Sequence, residues 1–379
     1  MKTFFVHTYG CQMNVHESAK ISSALETLGH ARGTIDTADI HVFNTCCVRD
    51  TAEQKILSHI ATICQKKKDN PNMIVAVVGC MTQKEGAAQK LKSKLPVDIV
   101  LGTHNINKLP DLIGKQATQI IQEREEDAVT ETFKADLTSQ GTIAYYINIS
   151  YGCENFCSYC IVPFVRGKLI HRDRCIIEKE FDNLLGQIEP CDKKIVIYLL
   201  GQNVNSYPGF PRLLNELASK VKKHGVYLNF LSSHPKDFSE ELINVIATNN
   251  AVDKNIHLPI QSGCNKILKA MNRGYTREQY LEKVSLLKAR VPGVTITTDI
   301  ICGFPGETEE DFRETMEFMK QVRFNAAFIF PYSRRSGTVA DKMPCQLDMK
   351  TKRRRTTELI NQQRQVAKGR SEESQEGNE

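Results

Sequence analysis

Three cysteines lie close together in the segment Cys153-Glu-Asn-Phe-Cys157-Ser-Tyr-Cys160. Three thiolates on one short loop can face a single centre, and soft sulfur ligands favour zinc or an iron–sulfur cluster. A structural zinc site normally has four protein ligands, whereas the nearest histidine here, His171, lies well beyond Cys160. A cubane held by three cysteines keeps one iron open for a small molecule. The spacing therefore favours the cluster over zinc.

Three further cysteines, Cys11, Cys46 and Cys80, are spread along the first part of the chain, and each follows a predicted strand. Each interval is about the length of one strand–helix unit. Taken singly, each would be read as a buried structural thiol. Because parallel strands end at the same edge of a sheet, where such sheets bind ligands, we expect the three to meet and to hold a second cluster. Cys47 adjoins Cys46, and neighbours in an extended chain point to opposite sides; we expect Cys46 to be the ligand.

Composition defines the class of protein. The 379 residues are 41% hydrophobic and 25% charged, which is typical of a folded chain with two or three domains. No apolar run approaches the roughly 20 residues of a bilayer span, so we expect no membrane contact. Thirteen cysteines are an odd number, and the N-terminus has no secretory cleavage site. A disulfide framework is therefore excluded, and the cytoplasm is the expected compartment.

The elements that must position these cysteines follow an α/β rhythm, in which short apolar runs alternate with helical periodicity. Residues 1–120 are predicted to form an open parallel-sheet domain, and residues 121–140, which are polar and acid-rich, a linker with some strand content. Residues 141–345 are predicted to form a partial (β/α)6 barrel with its active site at the carboxyl ends of the strands. Residues 346–379 combine a basic segment with an acidic tail that we expect to be disordered. The predicted strands are Thr3–His7, Asp39–Asn44, Met73–Val78, Ile143–Ser150, Lys194–Leu200, Val226–Leu231, Lys254–Ile260, Thr295–Ile301 and Ala326–Phe330.

The block CENFCSYCIVPFVRG resembles the signature of radical S-adenosylmethionine enzymes. The resemblance implies that Cys153, Cys157 and Cys160 hold a 4Fe–4S cluster whose open iron binds the amino and carboxylate groups of S-adenosylmethionine. Tyr159 matches the aromatic residue usual before the third cysteine, and it would serve equally as a packing aromatic. The fold implied is the radical S-adenosylmethionine partial barrel.

Three N-terminal cysteines followed by such a core resemble the layout of the radical S-adenosylmethionine methylthiotransferases. TYGCQMN and LLGQNVNSY resemble the MiaB group of that family, which modifies isopentenyladenosine 37 of tRNA. The blocks SSHP, HLPIQSGCNKILKAMNRGYT, TDIICGFPGET and YSRRSGT agree. Polar and glycine residues just past the strand ends are implied as cofactor contacts, although a Gly- and Asn-rich turn would need the same residue types. They are, with Tyr159, Gly201, Gln202, Asn203, Ser233, His234, Gln261 and Asp299.

The resemblance implies two 4Fe–4S clusters and S-adenosylmethionine as cofactors. An electron from the 153–160 cluster would cleave S-adenosylmethionine to a 5′-deoxyadenosyl radical, which takes hydrogen from carbon 2 of the adenine. A methylated sulfur held at the Cys11, Cys46 and Cys80 cluster would then add there, so we expect both clusters to open onto one cavity. No side chain is assigned as a catalytic acid or base. The expected partners are the anticodon arm of tRNA and a low-potential donor of the flavodoxin or ferredoxin type, and the expected state is a monomer.

Alternatives stay open at this point. The same chemistry could serve threonylcarbamoyladenosine in tRNA or a ribosomal protein, and a non-catalytic iron–sulfur regulator associated with RNA would predict damaged cysteine sets. Arg166 and Arg172 either neutralise substrate phosphate or the cofactor carboxylate, or form surface ion pairs. Family members continue into a small RNA-binding domain, TRAM, which we expect to be lacking here. The basic segment would then either hold tRNA phosphates or carry only solvated charge.

Overall fold

The structure is a computed structural model, and it describes residues 1–47, 50–115, 119–121, 133–135, 141–189, 191–221 and 225–376. The chain divides into two compact units. The first consists of Met1–Ile147 and Ile161–Gly186, and the second of Asn148–Cys160 and Gln187–Glu379. The cysteine-rich loop therefore belongs to the second unit, and the segment directly after it belongs to the first.

The first unit is built on a parallel sheet. Its elements up to residue 147 are β1 Thr3–Thr8, α1 Gln12–Thr27, β2 Ala31–Arg32, β3 Ile40–Thr45, α2 Asp50–Gln65, β4 Ile74–Gly79, α3 Ala87–Lys94, β5 Ile99–Leu101, α4 Leu109–Gly114, β6 Gln119–Ile121, β7 Phe133–Ala135 and β8 Thr142–Asn148, whose last residue belongs to the second unit. Among the described residues, the parallel strands follow the order β2-β1-β3-β4-β5-β6. Every residue of β3 and β4 is buried, as expected of central parallel strands covered on both faces.

The register places the ends of β1, β3 and β4 at one edge. Thr8 of β1 pairs with Asn44 of β3, and Asn44 pairs with Val78 of β4. The three strands are adjacent and parallel, so the loops that follow them leave the sheet side by side. The predicted open parallel sheet is confirmed.

The second unit repeats the strand–helix alternation. The next elements are β9 Ser150–Tyr151, α5 Val162–Arg166, β10 Ile170–His171 and α6 Arg174–Gln187, of which α5, β10 and all of α6 but its last residue lie in the first unit. They are followed by β11 Lys194–Leu200, α7 Phe210–Lys220, β12 Val226–Phe230, α8 Glu240–Thr248, β13 Asn255–His257, α9 Asn265–Ala270, α10 Arg277–Arg290, β14 Thr295–Cys302, α11 Glu309–Val322, β15 Ala326–Pro331, α12 Val339–Lys342 and α13 Met349–Glu376. β11 pairs in parallel with β12, and β13, β14 and β15 pair in parallel with one another. The predicted α/β class is confirmed.

Two terminal or connecting regions need separate mention. Within the predicted linker, the described residues are Ile121 at the end of β6 and the strand β7, which pairs antiparallel with β8; the remainder lies outside the described residues. The tail predicted to be disordered is helical as far as Glu376, because a helix that is already nucleated extends at little cost. Residues 377–379 lie outside the described residues. No helix in the described part of the chain is long and apolar enough to cross a membrane.

Candidate functional site

The loops that carry Cys11, Cys46 and Cys80 are joined by backbone hydrogen bonds at one edge of the first sheet. The Tyr9 N–H donates to the Asn44 carbonyl at 3.0 Å, and the Cys80 N–H donates to the Thr45 carbonyl at 3.0 Å. Cys46 and Cys80 are buried, whereas Cys11 is exposed. The structure thus brings together the three loops that the sequence predicts to hold a cluster.

Two glycines make this close approach possible. Gly10 precedes Cys11 with φ of +114°, and a Cβ built on it would lie 2.4 Å from Cys46 Cβ and 2.7 Å from Cys46 Sγ. Gly79 precedes Cys80 with φ of +102°, and a Cβ there would lie 2.5 Å from the Thr45 carbonyl oxygen. Both positions therefore require glycine for space as well as for backbone conformation.

The buried side chain of Asn14, in the first turn of α1, forms hydrogen bonds to the same loops. Its Nδ2 donates to the carbonyls of Tyr9 at 2.8 Å and Thr45 at 3.0 Å. Its Oδ1 accepts from the Cys11 thiol at 3.7 Å and from Arg166 Nη2 at 3.0 Å. The fully buried Asn14 amide is thereby tied to the backbone preceding Gly10 and Cys46. This amide was not identified from the sequence.

The neighbours of Cys80 favour its thiolate. The neighbouring Cys47 thiol donates a hydrogen bond to Cys80, and this bond, with the charge of Arg166, lowers the pKa of Cys80 to about 7. The same hydrogen bond and burial raise the pKa of Cys47. Metal binding requires the thiolate, so Cys80 needs little change to bind iron. The choice of Cys46 over Cys47 stays a prediction.

The Cys153–Cys160 loop is anchored to the turn that follows α9. The Cys160 N–H donates to the Cys157 carbonyl at 2.8 Å, and the Ser158 N–H donates to the Met271 carbonyl at 3.0 Å. Asn272 Nδ2 donates to the carbonyl of Phe156 at 3.1 Å. Phe156 has φ of +45°, a conformation that a non-glycine residue keeps only where its surroundings impose it. The loop is therefore held in one shape by its neighbours.

Arg273 places a positive charge against this loop. Its Nη1 lies 3.4 Å from Cys157 Sγ and 3.3 Å from the Tyr159 hydroxyl, and its Nη2 donates to the Pro259 carbonyl at 2.8 Å. The arginine is buried, and Tyr159 also packs against the apolar cluster around Phe304. The role that the sequence suggested for Tyr159 as a packing aromatic agrees with this position, while cofactor contact by Tyr159 stays a prediction.

His234 faces Cys157, and a backbone hydrogen bond determines which ring nitrogen of His234 carries the proton. The Lys236 N–H donates to His234 Nδ1 at 3.2 Å, so in the neutral ring the proton lies on Nε2, which is 3.9 Å from Cys157 Sγ. Burial, followed by the charges of Arg273 and Lys236, lowers the pKa of His234 to about 2. The ring is therefore a neutral donor towards the sulfur.

The other predicted cofactor contacts also belong to the second unit, and they lie in loops except for Asp299, which lies within β14. Gly201 lies against Ser150, because a Cβ on this glycine would be 2.4 Å from Ser150 Oγ. Asn203 Nδ2 donates to Asp237 at 2.6 Å. Gln202, in the Gly201 loop, is half-buried, and Gln261 is buried with φ of +75°. Asp299 Oδ2 lies 3.3 Å from His257 Nε2.

Several buried polar atoms at these loops lack a hydrogen-bond partner within the described residues. They include Ser150 Oγ, Asn203 Oδ1 and Ser233 Oγ. Burial of a polar atom without a hydrogen bond costs free energy, so these atoms indicate a polar ligand. A zwitterionic nucleoside such as S-adenosylmethionine has the donors and acceptors that they need, and the residues present fit it.

Arg166 and Arg172 form ion pairs in the interior of the first unit. Arg166 Nη1 lies 2.9 Å from Glu17 Oε1, with side chains 6% and 12% exposed. Arg172 Nη2 lies 2.7 Å from Glu180 Oε2, with side chains 10% and 3% exposed. Neither is the surface ion pair that the sequence left open as one alternative, because both partners lie inside the unit.

Six further cysteines lie outside these sets, in the core or at the surface. Cys264 lies near Asp311 and Glu314, but Lys266 binds Asp311 at 2.6 Å and Arg277 binds Glu314. These carboxylates are already neutralised, so we assign the group to packing. Buried thiols are Cys64, Cys264 and Cys302, and exposed thiols are Cys175, Cys191 and Cys345.

Sequence reasoning missed two of the residues that hold the loops. Arg273 lies within a block that the resemblance covers, but its type and position do not reveal that it faces a thiol 116 residues away. Asn14 lies within TYGCQMN, where it resembles any polar residue in a first helical turn. Contacts over such separations leave no periodic pattern in one sequence.

Comparison with known proteins covers nearly the whole chain. The model of the Radical SAM superfamily matches residues 147–319, and that of the uncharacterized protein family UPF0004 matches residues 3–102. The chain is 40% identical to the tRNA-2-methylthio-N(6)-dimethylallyladenosine synthase of Pelotomaculum thermopropionicum over 98% of this chain and 84% of that protein. It is 42% identical to the synthase of the same name from Natranaerobius thermophilus, over 98% of this chain and 83% of that protein.

Solved structures share the fold at low identity. The radical S-adenosylmethionine methyltransferase TsrM from Kitasatospora setae, solved with cobalamin and a 4Fe–4S cluster bound, superposes with a TM-score of 0.64 at 15% identity. The alignment covers 89% of this chain and 76% of that one. The cobalamin-dependent radical enzyme OxsB has a TM-score of 0.60 at 14% identity, covering 97% of this chain and 56% of that one. These matches show a shared fold.

Proposed function

Because the chain belongs to the radical S-adenosylmethionine methylthiotransferase family of the tRNA-2-methylthio-N(6)-dimethylallyladenosine synthases, we propose that it adds a methylthio group to carbon 2 of isopentenyladenosine 37 in tRNA. The observation that carries the proposal is 40–42% identity to these synthases along 98% of the chain. Both cysteine sets are intact in the sequence. A regulator that had lost its chemistry would not need to keep them.

The cofactors of the reaction are S-adenosylmethionine and two 4Fe–4S clusters. Cys153, Cys157 and Cys160 would hold one cluster, and the set Cys11, Cys46 and Cys80 would hold the other. When bound, these groups supply the electron, radical and sulfur chemistry that carbon 2 of adenine requires, since its hydrogen is not acidic enough for side-chain bases.

The chain's own residues orient and enclose these groups. Neutral His234 directs an N–H towards Cys157, and Arg273 supplies a positive charge beside the same sulfur. The unpartnered oxygens of Ser150, Asn203 and Ser233 are available to the polar end of S-adenosylmethionine. We assign the cofactor contacts to these loops together with Gly201, Gln202, Gln261, Asp299 and Tyr159.

The domain roles and partners are part of the proposal. Residues 1–120 would carry the second cluster, residues 141–345 would form the radical core, and residues 121–140 would connect them. The anticodon arm of tRNA is the substrate. A flavodoxin- or ferredoxin-type donor, a monomeric state and a cytoplasmic location complete the assignment.

Nucleoside analysis tests the reaction. The gene is deleted, total tRNA is digested, and the nucleosides are measured by mass spectrometry. We expect the methylthio group to disappear while isopentenyladenosine is retained, and a plasmid-borne copy to restore it. Unchanged nucleosides would reject the proposal, and loss of methylthiolated threonylcarbamoyladenosine alone would reassign the substrate.

Iron content tests the two-cluster arrangement independently. After anaerobic reconstitution we expect about eight irons per chain, since each cubane holds four. The triple variant Cys153→Ala, Cys157→Ala, Cys160→Ala should retain about half of them. A matched control replaces three exposed cysteines outside the site, Cys175, Cys191 and Cys345, and should retain all. Equal iron in both triple variants would exclude the radical core.

A further inference from the structure

The Arg166 guanidinium is buried beside the cysteine set of the first unit, Cys11, Cys46 and Cys80. Its Nη1 contacts Glu17 Oε1 at 2.9 Å, and its Nη2 donates to Asn14 Oδ1 at 3.0 Å. It also donates a hydrogen bond to the Cys80 sulfur. Its Nη1 also contacts Met13 Sδ at 3.8 Å. With its side chain 6% exposed, Arg166 is held inside the first unit by these four partners.

This arrangement is more than an internal ion pair. Glu17 Oε2 is buried and has no partner among the described residues, so the carboxylate uses only one of its oxygens on Arg166. The arginine directs other N–H groups to Asn14 and Cys80 instead of forming a bidentate ion pair with Glu17. Arg166 therefore shares its charge between Glu17 and the thiol set.

Asn14 transmits the position of Arg166 to the loops. The amide that accepts from Arg166 also accepts from the Cys11 thiol and donates to the carbonyls of Tyr9 and Thr45. α5 is further fixed because the Val165 carbonyl accepts from Thr103 Oγ1 at 2.8 Å. One charged group thus contacts Cys80 directly and Cys11 through one side chain.

We propose that Arg166 and Glu17 set the reduction potential of the cluster held by Cys11, Cys46 and Cys80, with Arg166 as a positioning residue. The inference rests on the proposed function. When the cluster takes up one electron, the site gains one negative charge and no bond forms or breaks. A buried cation stabilises that reduced form and a buried carboxylate opposes it, because charges interact strongly where water is excluded. The two residues act in opposite directions.

The test isolates this cluster in the full-length chain. The triple variant Cys153→Ala, Cys157→Ala, Cys160→Ala is reconstituted anaerobically with iron and sulfide. It is titrated with dithionite and redox mediators while electron paramagnetic resonance records the reduced cluster. On this background, Arg166→Met should shift the reduction equilibrium at least tenfold towards the oxidised form, about 59 mV lower for one electron. Glu17→Gln should shift it the other way.

A matched control is available in the same unit. Arg172 and Glu180 form another buried ion pair, so Arg172→Met removes an interior arginine whose ion-pair partner is not among the cysteine loops. We expect it to leave the potential of the reconstituted protein unchanged. A shift as large as that of Arg166→Met would show that any lost interior charge acts alike and would overturn the inference.

Arg166→Lys and Glu17→Gln keep the inference testable if Arg166→Met fails to take up iron. Arg166→Lys keeps the charge and should keep the potential near its starting value, and a fall like that expected of Arg166→Met would overturn the inference. Should both Arg166 variants lose iron, Glu17→Gln decides: a raised potential supports the inference, and an unchanged or lowered one overturns it. No iron in the background triple variant would instead reject the two-cluster proposal.

Discussion

At the scale of single residues, Gly10 is a position where one added methyl group would disturb the cysteine loops. We predict that Gly10→Ala lowers the iron content by about four per chain, because the added Cβ would overlap Cys46 Cβ and Sγ. Iron analysis of the reconstituted protein measures this. Gly29→Ala is the control, since Gly29 also has a positive φ, +80°, but nothing lies within 4 Å of an added Cβ. Equal losses in both variants would assign the effect to backbone strain alone.

His7 provides a pH-dependent test of packing in the first unit. Its ring stacks on Phe43 with 4.2 Å between ring centres, and its Nε2 lies 3.0 Å from His41 Nδ1. Burial first, and then the charges of His41, His59 and Lys66, lower the pKa of His7 to about 3. An unfolded histidine titrates near 6.5, so the unfolded chain binds more protons between about pH 6.5 and pH 3. The free energy of unfolding therefore falls as the pH is lowered through that window.

The variant His7→Phe keeps a ring against Phe43 and removes this titration. We predict that its free energy of unfolding depends less steeply on pH than that of the unmodified chain between about pH 7 and pH 5. Urea unfolding of the apoprotein at several pH values, followed by circular dichroism, measures the slope. A slope equal to that of the unmodified chain would contradict the assignment.

At this scale the sequence predicts which thiols form the two sets but not what surrounds them. Cys11, Cys46 and Cys80 could be predicted to meet because each follows a strand and parallel strands end together. The partner of Arg166 could not be predicted, since Glu17 lies 149 residues away. The sequence around a charged residue such as Arg166 does not show whether its side chain is buried or exposed.

At the scale of elements, a capping box between Thr308 and Asp311 fixes where α11 begins. The Thr308 hydroxyl accepts from the Asp311 N–H, and the Asp311 carboxylate accepts from the Thr308 N–H at 2.8 Å. We predict that Thr308→Ala destabilises the second unit by about 1 kcal/mol, the usual effect of losing such a cap, and that Thr308→Ser restores most of it. Urea unfolding midpoints measure both. Identical midpoints for Thr308→Ala and the unmodified chain would show that the cap contributes nothing.

Element boundaries show what periodicity can predict. The sequence predicts a strand at Lys194–Leu200, and β11 has the same bounds, because a long apolar run bounded by polar residues is unambiguous. β2 and β5 were not predicted, since two- and three-residue strands are too short to show alternation. β13 stops at His257, although the apolar run suggested a strand as far as Ile260.

At the scale of the whole molecule, the basic segment is divided between internal and external charge. Arg355 binds Glu307 at 2.7 Å with side chains 4% and 2% exposed, and Arg354 binds Glu309 and Glu358. Lys352 is buried over the Tyr332 ring. Arg354 is itself exposed but ion-paired. The other exposed cations among the described residues of α13 are Lys350, Arg353, Arg364 and Lys368. These four can meet a polyanion without displacing the ion pairs of Arg354 and Arg355.

The two groups should therefore respond to different measurements. We predict that Arg355→Ala lowers the free energy of unfolding by about 3–5 kcal/mol, because Glu307 is left buried without its partner. Urea unfolding measures this loss.

Replacing Lys350, Arg353, Arg364 and Lys368 by Gln should leave the unfolding midpoint unchanged. It should also flatten the dependence of tRNA affinity on salt, by about 0.7–0.9 in log–log slope for each phosphate that the chain no longer neutralises. Filter binding at several salt concentrations measures the slope. An unchanged slope would mean that these cations are only solvated charge and that tRNA is captured elsewhere on the chain.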